Sequence, residues 1–176
     1  AYAGFSGGTG GLAMDQDILA WTLGPPGACG SLAGPWQVNS PASSLDLNGT
    51  VGTAYSPAIT TDCVGATVTL NSAATAATPF DIAVTFANSI PAALTTGGGQ
   101  QVNIDISSPT LFNFNGGTAN FGGILNLLPH PGGFTYPVPT GALLDASAQQ
   151  LAVDAGHPDG FQLSQAVQVN ILAAGG

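Results

Sequence analysis

The sequence predicts an all-β protein: an antiparallel β-sandwich, Ig-like or jelly-roll-like, with a Gly-rich N-terminal arm. Three observations carry this. Short segments rich in Val, Thr, Phe and Ile alternate apolar and polar side chains, the period of a strand with one face buried. Gly and Pro fall between these segments at intervals of about ten residues, the spacing of strand–turn–strand architecture. No heptad pattern and no fixed-period repeat runs through the chain. At 176 residues the chain suits one sandwich and a short extension, read as an arm and loop over residues 1–36 and a sandwich over 37–176.

From the N-terminus, residues 1–11 contain GFSGGTGG, with too few side chains to specify a structure alone. LAMDQDILAWTLG follows and fits neither helical nor strand period, so a short helix and an added strand both stay open. GPPGACGSLAGP reads as a loop. Strand signals then begin with SLDLN (Ser44 to Asn48), closed by Gly49. From Val64 to Leu70, alternate residues Val64, Ala66, Val68 and Leu70 share a face. Between Phe80 and Phe86, Phe80, Ile82, Val84 and Phe86 point one way and Asp81, Ala83 and Thr85 the other. Val102, Ile104 and Ile106 alternate after a Gly97–Gly99 turn, and Phe112 with Phe114 reads as a short aromatic strand. Phe121 to Leu128 is mostly apolar, with Gly122 and Gly123 marking a bulge or a close backbone approach. Pro129, Pro131, Pro137 and Pro139 make the next stretch a loop or a sheet edge. The end reads as a hairpin, Gln149 to Asp154 outward and Phe161 to Leu172 back.

Composition narrows function by exclusion. Lys and Arg are absent, and nine Asp residues give a formal charge of −9. Nucleic-acid binding draws its strength from cations on phosphates, so no nucleic-acid partner is expected. The same sign argument excludes anionic membrane surfaces. A P-loop, a Schiff-base lysine and an arginine clamp are impossible. No run of 18 apolar residues occurs, so no membrane insertion is expected. The surface must be built from Ser, Thr, Asn, Gln, Gly and Ala, and copies so weakly charged repel each other little. The rival explanation is a monomer solubilised by sugars. Ala1 is not an initiator Met, which is expected of an extracellular or cell-surface chain after signal-peptide removal.

Two segments carry a family resemblance. SPASSLDLNG (Ser40 to Gly49) resembles an opening strand, and QQLAVDAGHPDGFQLSQAVQVNI (Gln149 to Ile171) a closing hairpin, of secreted β-sandwich domains in planctomycete and myxobacterial extracellular surface proteins. In the closing hairpin a Q-x-x-x-x-D strand leads through a Gly/Pro turn to G-x-x-L-S-x-x-x-x-V-x-I, and TPFDIAVTF sits where those domains have a central strand. The resemblance runs from about Ser40 to the C-terminus. It implies fold and compartment, and no activity.

No catalytic residue is expected and no enzyme is predicted. His130 and His157 both neighbour prolines in turns and read as exposed loop residues, and no G-x-S-x-G is present. Asp15 with Asp17, and Asp154 with Asp159, are the candidate calcium ligands, although no full calcium loop is visible. No other cofactor is expected. Asn48-Gly49-Thr50 is a candidate glycosylation site. Trp21, Trp36, Tyr2, Tyr55 and Tyr136 would have to converge to make a platform for glycans. The arm offers Leu12, Met14, Ile18, Leu19, Trp21 and Leu23, more apolar surface than a disordered tail carries. The expectation is therefore a structural subunit of an extracellular filament, pilus-like fibre or surface layer. Its partners would be copies of itself, joined by non-covalent β-rich contacts with an exchanged arm, added to a sheet edge or laid across a sheet face. The alternatives are a carbohydrate-binding or adhesive module, a passive sandwich domain, and an arm folded back on its own sandwich.

Cys29 and Cys63 are the only cysteines, and an isolated pair in an exported chain reads as a disulfide. It would close a loop of about 35 residues and contribute roughly 3–4 kcal/mol in the chain-entropy model. Intact mass under non-reducing conditions should fall two daltons short of the reduced chain; two alkylatable thiols would refute the pairing.

Overall fold

Eleven strands lie among the described residues. They are β1 (Ser43–Leu47), β2 (Ala58–Cys63), β3 (Val68–Ala74), β4 (Pro79–Thr85), β5 (Leu94–Thr95), β6 (Gln101–Val102), β7 (Phe112–Asn113), β8 (Leu128–Pro129), β9 (Gly133–Val138), β10 (Leu144–Val153) and β11 (Phe161–Leu172). The computed structural model describes residues 34–116 and 126–174, all within the unit that begins at Ala33. The arm side chains, Asp15, Asp17, Trp21, Cys29 and most of the Phe121–Leu128 run lie outside the described residues.

The strands form an all-β, sandwich-like fold, as predicted. A six-stranded sheet has the order β2-β11-β10-β4-β7, with β8 also paired to β4. A three-stranded sheet has the order β1-β3-β9, and β5 and β6 form a small hairpin. Pairing is antiparallel throughout except where β2 runs parallel to β11, with Ala58 opposite Val167 and Cys63 opposite Leu172. The core lies between the sheets. Leu45, Leu47, Val68 and Leu70 come from the smaller sheet; Phe80, Ile82, Val167, Val169 and Ile171 come from the larger.

The closing hairpin is the expected one, except that β10 begins at Leu144, before Gln149. The proline stretch makes β9, an edge strand with Pro137 inside it, where a missing N–H is tolerated. Three details differ from the reading of the sequence. The Val64–Leu70 strand begins only at Val68, because Gly65 turns at φ +88° and its amide bonds the Thr140 carbonyl. The aromatic strand stops at Asn113, and Phe114–Gly116 is a 3-10 turn. The strand Ala58–Cys63 had no apolar alternation to announce it, since AITTDC buries only Ala58 fully.

The larger sheet is covered on both faces. Asp81, Thr85, Gln149 and Gln168 alternate with core residues, yet all are buried. What covers Thr85, Gln149 and Gln168 is the crossover between β4 and β7, fastened largely by side-chain amides. Gln149 Oε1 accepts from the Asn103 amide at 2.9 Å, while its Nε2 donates to the carbonyls of Gln101 and Ser164. Gln168 Oε1 accepts from the Ser89 amide, and its Nε2 donates to Asn88. Asn103 Oδ1 accepts from the Gln37 amide, and its Nδ2 donates to the carbonyls of Pro35 and Ile90. On β11, Gln165 does the same for the β1–β2 connection, accepting from Gly52 and donating to Leu45 and Thr50. Each amide uses both its donor and its acceptor, as burial requires.

Asp81 is the one acid among the fully buried residues, and its oxygens accept from the amides of Ile82, Asn115 and Asn126. Burial lifts its carboxyl above the usual carboxylate range, and the three amides offset part of that.

Replacing Gln149 by Leu keeps the bulk and strips one acceptor and two donors, leaving the Asn103 amide buried and unpaired. Chemical denaturation should register a loss of about 3 kcal/mol. A loss under about 1 kcal/mol would mean that the crossover is held by other contacts.

Candidate functional site

Three places bring potentially functional side chains together. The first surrounds His130, which is buried, not exposed, at 1 % accessibility. Its ring packs on Phe80 edge to face at 4.4 Å and against Phe134 at 5.5 Å. Nδ1 accepts from the Gly132 amide at 2.9 Å, so the neutral ring carries its proton on Nε2. Nε2 then donates to Ser72 Oγ at 2.9 Å. The Ser72 hydroxyl donates to Gln150 Oε1, and Gln150 Nε2 donates to Ser43 Oγ and the Ala73 carbonyl. This direction is the reverse of a hydrolase relay, where the imidazole takes the serine proton and an acid orients its other nitrogen. The chain of bonds ties β1, β3 and β10 together and has no nucleophile to offer. Burial holds the His130 pKa below the usual imidazole value.

The second place is the tip of the closing hairpin. Asp159 Oδ2 accepts from Thr96 Oγ1 at 2.6 Å and Gln100 Nε2 at 2.9 Å, and Oδ1 accepts from the Gly98 amide at 2.6 Å. His157 is close by, its Nδ1 3.6 Å from Asp159 Oδ2. The Gln100 and Thr96 bonds, then the Gly98 amide and His157, hold the Asp159 carboxyl below the usual range. Gly98 is required here, since a Cβ would lie 2.6 Å from Asp159 Oδ2. Asp154, the other candidate calcium ligand in this turn, accepts instead from the Gly156 amide. The two acids therefore bind the protein itself. Among the described residues no group of three His, Cys, Asp or Glu side chains converges.

The third place is an apolar cleft of about 520 Å³ between the two sheets. Its floor is Ala146 and Ala148 of β10 with Val167 and Val169 of β11. Leu47, Leu70 and Val138 of the smaller sheet form one wall. Phe86, Phe112, Phe114, Tyr136 and Leu143 stand at the other wall and rim. Phe86 tilts on Phe112 at 5.6 Å, and Phe114 meets Tyr136 edge-on at 5.0 Å. No charged side chain lines it. The cleft exists because three strands face six and two floor positions are alanines. Phe86, Tyr136 and Leu143 remain 55, 42 and 66 % exposed.

The remaining candidates are dispersed. Cys63 is exposed at the end of β2. Asn48 is exposed at φ 51°, its Nδ2 donating to the Thr67 carbonyl and its Oδ1 accepting from Thr69. Tyr136 borders the cleft and Tyr55 lies outside its lining. The sequence placed Val84 and Phe86 on one face of a strand, but the space beside them was not legible from it.

No family model, curated protein or solved structure matches the chain. Fold and site together define a β-sandwich with an open apolar cleft and inward-turned polar clusters.

His130 generates a pH prediction. Its folded pKa is depressed, so its contribution is complete above the unfolded value near 6.5 and is lost as pH falls toward the folded one. Between pH 7.5 and 5, wild-type unfolding free energy should decline, and a His130→Gln variant, whatever its absolute stability, should decline less. Parallel slopes would show that His130 is not held neutral.

Proposed function

We propose that this protein is a structural subunit of an extracellular filament, pilus-like fibre or surface layer, assembled from copies of itself by non-covalent contacts. The observation that carries this reading is the cleft, an apolar surface with uncharged walls in a chain whose surface provides no cation. Contacts between copies cannot be ion pairs, because Lys and Arg are absent. They rest on apolar burial and backbone hydrogen bonds. Covering on the order of 500 Å² of apolar surface contributes about 12 kcal/mol before association costs, which consume much of it. Repetition along a polymer holds each subunit on two sides. The polar clusters support the same reading, since His130 and Asp159 spend their hydrogen bonds on joining strands and turns of the protein itself.

Electron microscopy and sedimentation of the purified chain test it. Assemblies should form without a second protein and should persist in molar salt, where the screening length shrinks to about 3 Å. Acid should favour them mildly by neutralising the Asp residues. A chain that stays monomeric at every concentration, or assemblies that salt alone dissolves, would defeat the proposal. Tryptophan fluorescence of a monomer that responds to a glycan would favour the adhesive module.

A further inference from the structure

We infer that the cleft is the receptor for the Leu12 to Leu23 segment of a second copy, which enters by its side chains and not by extending a sheet. This rests on the polymer reading and names the contact within it.

Apart from Ser147 the described lining is mainly aliphatic and aromatic, and it carries no charge, so it selects an occupant largely by apolar shape. Leu12, Met14, Ile18, Leu19, Trp21 and Leu23 are such an occupant, supplied by the chain itself. Asp15 and Asp17 are the only charges between them, and no carboxylate on the cleft walls opposes them. The mode follows from β9, which ends the smaller sheet beside the cleft. Pro137 lies within β9 and Pro139 just after it, and neither has an N–H to offer a neighbouring strand. A ladder along this edge is therefore broken, while the space behind it stays open. The reach is sufficient. Ten residues lie between Leu23 and Gly34, the first described residue, and the eleven steps from one to the other span up to about 36 Å when extended. None of residues 34–46 lines the cleft.

The test uses the full chain and two variants. Leu143→Asp places a charge on the exposed rim, and Ala148→Phe fills the floor. Polymer is followed by sedimentation and folding by circular dichroism, and a synthetic peptide of residues 10–24 is added as competitor. Both variants should stay folded and lose polymer, and the peptide should shorten wild-type assemblies. Peptide affinity should fall at least tenfold on Leu143→Asp, which keeps the test valid should Ala148→Phe fail to fold. Normal assembly by a folded Leu143→Asp chain overturns the inference and leaves the polymer reading standing. If wild type never polymerises, the polymer reading falls, and peptide binding to the monomer decides the cleft: binding lost in Leu143→Asp upholds it, and no binding overturns it. Loss of polymer in Thr61→Pro, with Leu143→Asp unaffected, moves the contact to the β2 edge and overturns it. A stoichiometric apolar small molecule released on denaturation of the purified chain, and competing with the peptide, also overturns it.

Discussion

The rest of the structure depends on the neutral side-chain amide. A chain without Lys or Arg cannot bury a carboxylate against a cation. It still has to fasten a long crossover and several turns to the outer face of a sheet. Glutamine and asparagine solve this because each carries a donor and an acceptor and no charge, so one side chain can close two or three backbone valences at no Born cost. Gln149, Gln165 and Asn103 each do so, and Gln168 joins the Ser89 amide to the Asn88 side chain. Asp81 and Asp159 follow the same logic with different donors, backbone amides for the first and largely side chains for the second.

This choice shapes the sandwich. Amide anchors cover the outer face of the larger sheet, so β4, β10 and β11 are largely buried on both sides. The smaller sheet has only three strands to set against six. At one end of the interior, His130, Ser72 and Gln150 fill the space with a directed chain of hydrogen bonds. Where the floor is Ala146 and Ala148, no glutamine enters and the cleft remains. A polar plug and an apolar opening thus share one core, and the difference between them is whether β10 presents a glutamine or an alanine.

The same absence of cations governs the outside. The surface is polar and weakly charged, which leaves apolar contact and main-chain pairing as the means by which copies can recognise each other. The edges differ in what they allow. Prolines interrupt β9, whereas β2 runs from Ala58 to Cys63 without one. Apolar side chains entering the cleft would complete the interior in a way that a strand added at β9 would not.

Much of the fold was legible in the residues alone. The alternation of Phe80 to Val84 and of Val167 to Ile171, the Gly160 turn and the prolines of β9 are local signals, because strand period and backbone conformation are properties of neighbouring residues. Composition likewise excluded cation chemistry outright. Other features depended on what the fold brings together. The parallel β2 had no pattern, because its pairing is set by β11 more than a hundred residues away. Thr85 falls on the face opposite Phe80 and Ile82, and alternation reveals two faces but not what covers the second. His130 looked like a loop residue, and only the packing of Phe80 and Phe134 made it part of the core. The cleft was furthest from view. It arises from the unequal number of strands in two sheets and from alanines that are unremarked in sequence, and a volume left between elements is a property of their arrangement, not of any one of them.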